Sequence, residues 1–226
     1  MLLVYVAFTI AVAAIVPAFA AKMVAVLQKE LLNDLAAAQS LNADSLIHNA
    51  RAVSKGTAFA VFLLLTLIIS FLYYRLGQDA FIYCFFVILL GVIALMDWMV
   101  ELIPEWSTGA LLWVGIFASL FEFTSLPVDQ ALVGAACGWL LFTLPNFMLE
   151  VFKGEKDAVG LGDVSFLAGL GAWLGPKGAV STALLSIGLA LSIRLWLRVR
   201  EKEVQFIAFG PFLSLSAAMV LINSLL

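Results

Sequence analysis

The sequence predicts an all-α protein, a polytopic bundle of transmembrane helices. The 226-residue chain is 64% hydrophobic and only 12% charged, with a mean hydropathy of +1.12, whereas a soluble domain carries roughly 25% charged residues. That much apolar surface requires lipid as its solvent, and helices satisfy their backbone hydrogen bonds internally in lipid. The formal net charge of −3 gives no reason to expect a nucleic-acid partner.

Apolar runs along the chain indicate about eight membrane spans, because one span needs about 20 apolar residues. The runs lie at 1–20, 57–74, 79–96, 107–123, 131–149, 163–175, 179–197 and 207–225. The run at 163–175 is short and glycine-rich, which predicts a tilted, partial or broken span. No basic residue precedes the first run, so we interpret it as a retained span rather than as a signal peptide.

The distribution of basic residues predicts that the N- and C-termini both lie outside. With the N-terminus outside, the inside segments hold 10 of the 12 Lys and Arg residues, and the outside segments hold Arg75 and Lys177. Cytoplasmic segments carry such an excess of basic residues. The alternation requires 163–175 to cross the membrane, and it places 97–106 and 150–162 inside.

Composition divides the chain near residue 56. Residues 1–56 contain the first span and a polar segment of amphipathic helical composition, which we expect on the cytoplasmic surface. Residues 57–226 are expected to form the transmembrane bundle that carries the chemistry. Cys84 and Cys137 lie in apolar runs and His48 lies in the polar segment, so none of them predicts a disulfide or a metal site.

Acidic residues next to membrane spans are functional candidates, because an ionisable group there is costly. The candidates are Asp97, Glu101, Glu105, Glu122, Glu150, Asp157 and Asp163. Asp97 directly follows the run that ends at Met96, and Asp163 directly precedes the run that begins at Val164. Both belong to inside ends by the charge count, so they can face each other if their helices pack together.

The residues before Asp163 are unusual, since Gly160 and Gly162 leave the backbone free to approach other segments closely. Such a stretch can admit an extended peptide beside the acid. The alternative is that Asp163 is simply the N-cap of the next helix, and the residues alone leave both readings open. Pro104, after Asp97, indicates a helix boundary.

Two carboxyl groups brought together form a hydrolytic device that needs no metal. Like charges at short range do not ionise together easily, so the pair shares a proton. One member then acts as general base on a water and the other as general acid. The main alternative is a small proton-coupled membrane transporter that uses acidic residues, but its sites should lie near the midplane rather than at span ends. A structural membrane subunit with a decayed site is a further alternative.

Three segments of the chain resemble the prepilin peptidases, which are membrane aspartic proteases with a Gly-x-Gly-Asp motif. The matching residues are Asp97 with Leu102-Ile103-Pro104-Glu105, Gly160-Leu161-Gly162-Asp163 with Gly171-Ala172-Trp173-Leu174-Gly175, and Phe209-Gly210-Pro211-Phe212. The segments follow the order and spacing of that family and cover about residues 80–220.

The resemblance implies that Asp97 and Asp163 are the catalytic pair of a membrane-embedded aspartic endopeptidase. It implies roles in substrate binding or motif support for Gly160, Gly162, Pro104 and Glu105. The implied reaction removes the leader peptide of a type IV prepilin or pseudopilin at the cytoplasmic face of a bacterial inner membrane. That reaction serves pilus assembly or type II-like secretion.

The chain departs from the family pattern at several positions. Glu105 stands where an Asp is usual, and Ser165 stands where a Lys is frequent. Residues 1–56 contain neither a cysteine tetrad for zinc nor the Gly-Ser-Phe-Leu-Asn segment associated with N-methylation. The resemblance therefore implies no metal. It implies S-adenosylmethionine as a cofactor only if a methyltransferase activity is present.

Overall fold

The computed structural model describes residues 55–77, 80–153, 160–200 and 208–226, together with the single residues Ala7 and Lys22. Within these ranges the chain forms six helices and no strand, as the all-α prediction requires. They are α1 (Lys55–Leu76), α2 (Ala80–Val100), α3 (Glu105–Leu120), α4 (Val128–Lys153), α5 (Leu161–Val199) and α6 (Gly210–Leu225). The predicted first span and amphipathic segment, with His48, lie outside the described residues.

Three of the described helices are long and apolar enough to cross a membrane. These spans are Ala80–Met99, Val128–Phe152 and Leu161–Val199. Two shorter apolar helical stretches lie at Leu64–Leu76 and Gly210–Leu225. The helical membrane character predicted from composition is therefore supported, while the count of eight spans and the outside location of both termini stay predictions.

Helix α5 is bent at Gly175, which divides it into two helical segments. Gly175 has φ 69° and ψ −179°, a backbone conformation that glycine adopts without the steric cost of a Cβ. Pro176 follows and donates no backbone hydrogen bond to the preceding turn. The predicted runs 163–175 and 179–197 are thus separate helical segments, and the glycine-rich run is short as expected.

Helices α2 and α6 run antiparallel beside each other through the core. Two contacts define this pairing: the backbone N–H of Gly210 donates to Asp97, and the Ser214 hydroxyl donates to the Leu90 carbonyl at 3.1 Å. The second contact lies further along α6 and earlier along α2 than the first. The start of α6 is thereby fixed beside the end of α2.

Helix α4 packs on the first half of α5 through glycines. A Cβ placed on Gly134 would overlap the carbonyl oxygen of Gly171, and a Cβ on Gly171 would overlap that of Gly134. One turn further along α4, Gly138 meets the carbonyl of Leu167 in the same way. Glycine allows helices to approach this closely, so the first half of α5 lies directly against α4.

A buried tryptophan joins α5 to two other helices. The indole N–H of Trp173 donates to the Leu111 carbonyl on α3 at 2.8 Å. Its ring lies 4.8 Å from the ring of Phe86 on α2, centroid to centroid. Together with the glycine contact, this bond fixes the segment of α5 that begins at the Gly160–Asp163 motif.

Candidate active site

Asp97 lies in the last turn of α2 and is the one charged side chain that is buried among the described residues, with 6% of its surface exposed. Burial of a carboxyl group is costly unless it is hydrogen-bonded. Its Oδ2 accepts a hydrogen bond of 2.7 Å from the backbone N–H of Gly210. The donor is an N–H at the start of a helix, a position that has no partner within its own helix.

Asp163 lies in the first turn of α5 and is half-buried. Gly160 occupies the N-cap position in an extended conformation, and no side chain caps this helix. The alternative in which Asp163 is the N-cap is therefore wrong. Its Oδ1 is buried and accepts no hydrogen bond from the residues that the structure describes. A buried carboxyl oxygen without a donor is available to a water or a substrate.

The structure brings both aspartates to the wall of one cavity of about 280 Å³. The cavity lies between the end of α2, the start of α3 and the start of α5. Its lining residues are Asp97, Glu101, Leu102, Ile103, Glu105, Thr108, Gly160, Leu161, Gly162, Asp163 and Ser165. The two aspartates lie within electrostatic reach of each other.

All of the charged residues that line the cavity are acidic. Asp97, Glu101, Glu105 and Asp163 all line it, and its lining contains no Lys, Arg or His. Glu101 adopts a left-handed backbone conformation, with φ 55°, and its charge reaches Asp97. Four carboxyl groups therefore line one small space.

The other predicted site residues lie at the starts of α3 and α5. Glu105 is exposed at the first position of α3, while Pro104 precedes it as the N-cap and is not part of the lining. The Pro104 carbonyl accepts the hydroxyl of Ser107 at 2.7 Å, which anchors the start of α3. A Cβ on Gly162 would lie 3.0 Å from the Cβ of Ile103. This glycine therefore lets α5 begin close to the loop after α2.

Several residues at the site had no assigned role in the sequence prediction. Gly210 appeared there as part of a matching segment, and its hydrogen bond to Asp97 spans 113 positions, so no local signal linked them. Thr108 and Ser165 line the cavity as hydroxyl groups. Of the remaining candidate acids, Glu122 and Glu150 are exposed and outside the lining.

Within the part of the chain that the structure describes, no three acidic, histidine or cysteine side chains are grouped so as to hold a metal ion. The candidate Asp157 lies outside the described residues. The two aspartate carboxyl groups line the cavity. A backbone N–H holds Asp97, and Oδ1 of Asp163 accepts no hydrogen bond from the described residues. Such a pair can activate a water and protonate a leaving group.

The model of the type IV leader peptidase family matches residues 84–195. This part of the chain belongs to the type IV leader peptidase family. The matched range includes Asp97, Asp163 and the nine other residues that line the cavity. Gly210 lies beyond it.

Curated relatives carry names of the same kind. The chain is 36% identical over 137 residues to the prepilin leader peptidase/N-methyltransferase of Dickeya chrysanthemi, which covers 59% of this chain and 47% of the relative. It is 34% identical over 140 residues to the protein of that name from Xanthomonas campestris pv. campestris, covering 61% and 46%. A type 4 prepilin-like proteins leader peptide-processing enzyme of Escherichia coli O78:H11 is 27% identical over 137 residues, covering 56% and 49%.

The chain spans about half the length of the curated relatives it matches. None of the solved structures matches the chain with significance. Membership of the family therefore rests on the sequence matches.

Proposed function

We propose that this protein is an aspartic endopeptidase that removes the leader peptide of a type IV prepilin or pseudopilin, with Asp97 and Asp163 as its catalytic pair. The observation that carries the proposal is the shared cavity, which both aspartates line although they are far apart in sequence. The match to the type IV leader peptidase family supports the substrate class. The printed names of the relatives support prepilin as the substrate.

In the proposed reaction one aspartate is ionised and the other is protonated. The ionised carboxylate takes a proton from a water, and the resulting hydroxide attacks the scissile carbonyl carbon. The protonated carboxyl group donates a hydrogen bond to the carbonyl oxygen and then delivers its proton to the leaving amine. The C–N bond breaks, one water is consumed, and the pair returns to a single shared proton.

The proposed location of the reaction is the cytoplasmic face of a bacterial inner membrane. The excess of basic residues in the inside segments supports this orientation. Asp97 lies in the last turn of α2 and Asp163 in the first turn of α5. Acids at the ends of helices suit a peptide that approaches from the membrane surface. A proton-coupled transporter, in contrast, would be expected to hold its acids near the middle of its spans.

Cleavage of purified prepilin in detergent tests the proposal. We expect Asp97→Asn and Asp163→Asn each to lower kcat by about 10³-fold or more, because a triad or dyad member acts as part of a unit. The matched control is Asp129→Asn, an exposed aspartate in the first turn of α4. It should cleave like the wild type, and all three variants should show wild-type melting temperatures within a few degrees.

Cleavage at the wild-type rate by either Asp97→Asn or Asp163→Asn would disprove the catalytic pair. If the wild type leaves prepilin intact, the substrate assignment is wrong. Mass spectrometry of the mature product, with S-adenosylmethionine added, decides on methylation. A gain of one methyl group at the new N-terminus would add the second activity that the relatives' names carry.

A further inference from the structure

Gly210 lies directly against Asp97, one member of the proposed catalytic pair. It is buried at the first position of α6, and its backbone N–H donates to Oδ2 of Asp97 at 2.7 Å. This bond joins the start of α6 to an acid of the cavity. Gly210 takes no part in the proton transfers of the proposed reaction.

The position also has no space for a larger residue. A Cβ on Gly210 would lie 2.9 Å from Oδ2, 3.0 Å from Cβ and 3.1 Å from Cγ of Asp97. All three of these nearest atoms belong to the same aspartate. An added methyl group would therefore push against the carboxyl group itself and not against a neutral part of the core.

The two observations together point to one role. A carboxyl group can rotate about its Cβ–Cγ bond and its side chain can change rotamer, so a buried acid needs a donor to hold one orientation. The Gly210 N–H binds one oxygen of Asp97 and leaves the other for water or substrate. Pro211, at the second position of α6, has no N–H that could compete for the same oxygen.

We propose that Gly210 is the positioning residue for Asp97. Its N–H sets the orientation of the carboxyl group in the cavity, and its lack of a Cβ permits the close approach that this bond needs. The consequence for the reaction rests on the proposed peptidase function, whereas the contact itself can be tested without any substrate.

A thermodynamic cycle tests the contact. Gly210→Ala, Asp97→Gly and the double variant are compared by thermal unfolding in detergent. We expect Gly210→Ala to lower the melting temperature by about 5 °C when Asp97 is present, because overpacking of a core is destabilising. We expect little or no further loss in the Asp97→Gly background, because the three atoms that the methyl group would meet are gone.

Gly171→Ala is the matched structural control for this cycle. It also adds a methyl group at a tight glycine, but against the backbone of Gly134 on α4. Its effect on the melting temperature should be the same with Asp97 present or absent. If Gly210→Ala alone fails to fold while the double variant folds, the proposal is supported. An equal loss from Gly210→Ala in both backgrounds, or no loss in either, overturns it.

Kinetics test the consequence for the reaction. Gly210→Ala should lower kcat for prepilin cleavage by about 10- to 100-fold, because a displaced catalytic group loses its alignment. KM should stay within about twofold, since the distant substrate contacts remain. A loss expressed mainly in KM would overturn the positioning role. If the wild type does not cleave prepilin, the proposed function fails while the unfolding cycle still decides whether Gly210 holds Asp97.

Discussion

Gly171→Ala tests whether the close contact between α4 and α5 places Asp163 in the cavity. Gly171 and Gly134 face each other so closely that a Cβ on either glycine would overlap the backbone carbonyl of the other. A Cβ at Gly171 would also lie 2.5 Å from the carbonyl carbon of Gly134 and 3.0 Å from the backbone nitrogen of Ala135. Backbone atoms cannot rotate away as a side chain can, so the two helices must separate.

The size of the effect follows from these contacts. Nonbonded carbon atoms prefer separations of about 3.5–4.0 Å, so α4 and α5 must move apart by about 1 Å. Overpacking of this kind costs about 1–3 kcal/mol, and the better helix propensity of Ala offsets about 1 kcal/mol. The net destabilisation relative to the wild type is therefore about 0–2 kcal/mol, and relative to a Gly→Ala change in open space it is about 1–3 kcal/mol. Asp163 lies on the same segment of α5 as Gly171, with no bend between them, so a shift of about 1 Å lowers the cleavage rate by up to about 100-fold.

Thermal unfolding and prepilin cleavage in detergent measure both effects. The control is Gly188→Ala, which lies on α5 beyond the bend and has open space where its Cβ would be. The control should match or exceed the wild-type melting temperature, because Ala favours the helix by about 1 kcal/mol. If Gly171→Ala behaves like Gly188→Ala in both measurements, the glycine contact does not position Asp163 and the reasoning is refuted.

Two further substitutions test other contacts around the site. Trp173→Phe removes the indole N–H that donates to the Leu111 carbonyl but keeps an aromatic ring beside Phe86. We expect a loss of about 1 kcal/mol in the free energy of unfolding, seen as a lower melting temperature, and an unchanged melting temperature would show that the bond adds no stability. Gly162→Ala places a methyl group 3.0 Å from the Cβ of Ile103 on the facing wall. It should lower kcat/KM for prepilin about tenfold, since the first turn of α5 must shift, and a wild-type kcat/KM would show that the wall adjusts without moving Asp163.

Much of the helical framework could be predicted from the sequence, because apolar length and composition are local properties. Predicted runs at 57–74, 79–96 and 131–149 fall within α1, α2 and α4, apart from the first residue of the second run. The glycine-rich run at 163–175 ends at the bend at Gly175, as its length and composition indicate. The number of spans and the sidedness of the bundle stay predictions, because the first 54 residues lie almost wholly outside the described part.

Most of the residues of the candidate site could also be predicted from the sequence. Of the six residues that were assigned to it, five line the cavity, and Pro104 is instead the N-cap of α3. Their catalytic and binding roles stay predictions. The role proposed for Gly210 could not have been assigned in this way, because its partner Asp97 lies on a distant helix.

The sequence by itself determined that this protein is helical and apolar enough for a membrane, and that acids stand at the ends of its apolar runs. It also determined that glycines precede Asp163, where the chain needs freedom to approach its neighbours. Hydropathy, charge and backbone freedom belong to consecutive residues, so they can be read along the chain. Only the tertiary structure decided which helices pack together, and therefore that Asp97 and Asp163 share one cavity and that Gly210 donates to Asp97. Those contacts depend on how side chains and glycines interlock between helices, and no single segment contains that information.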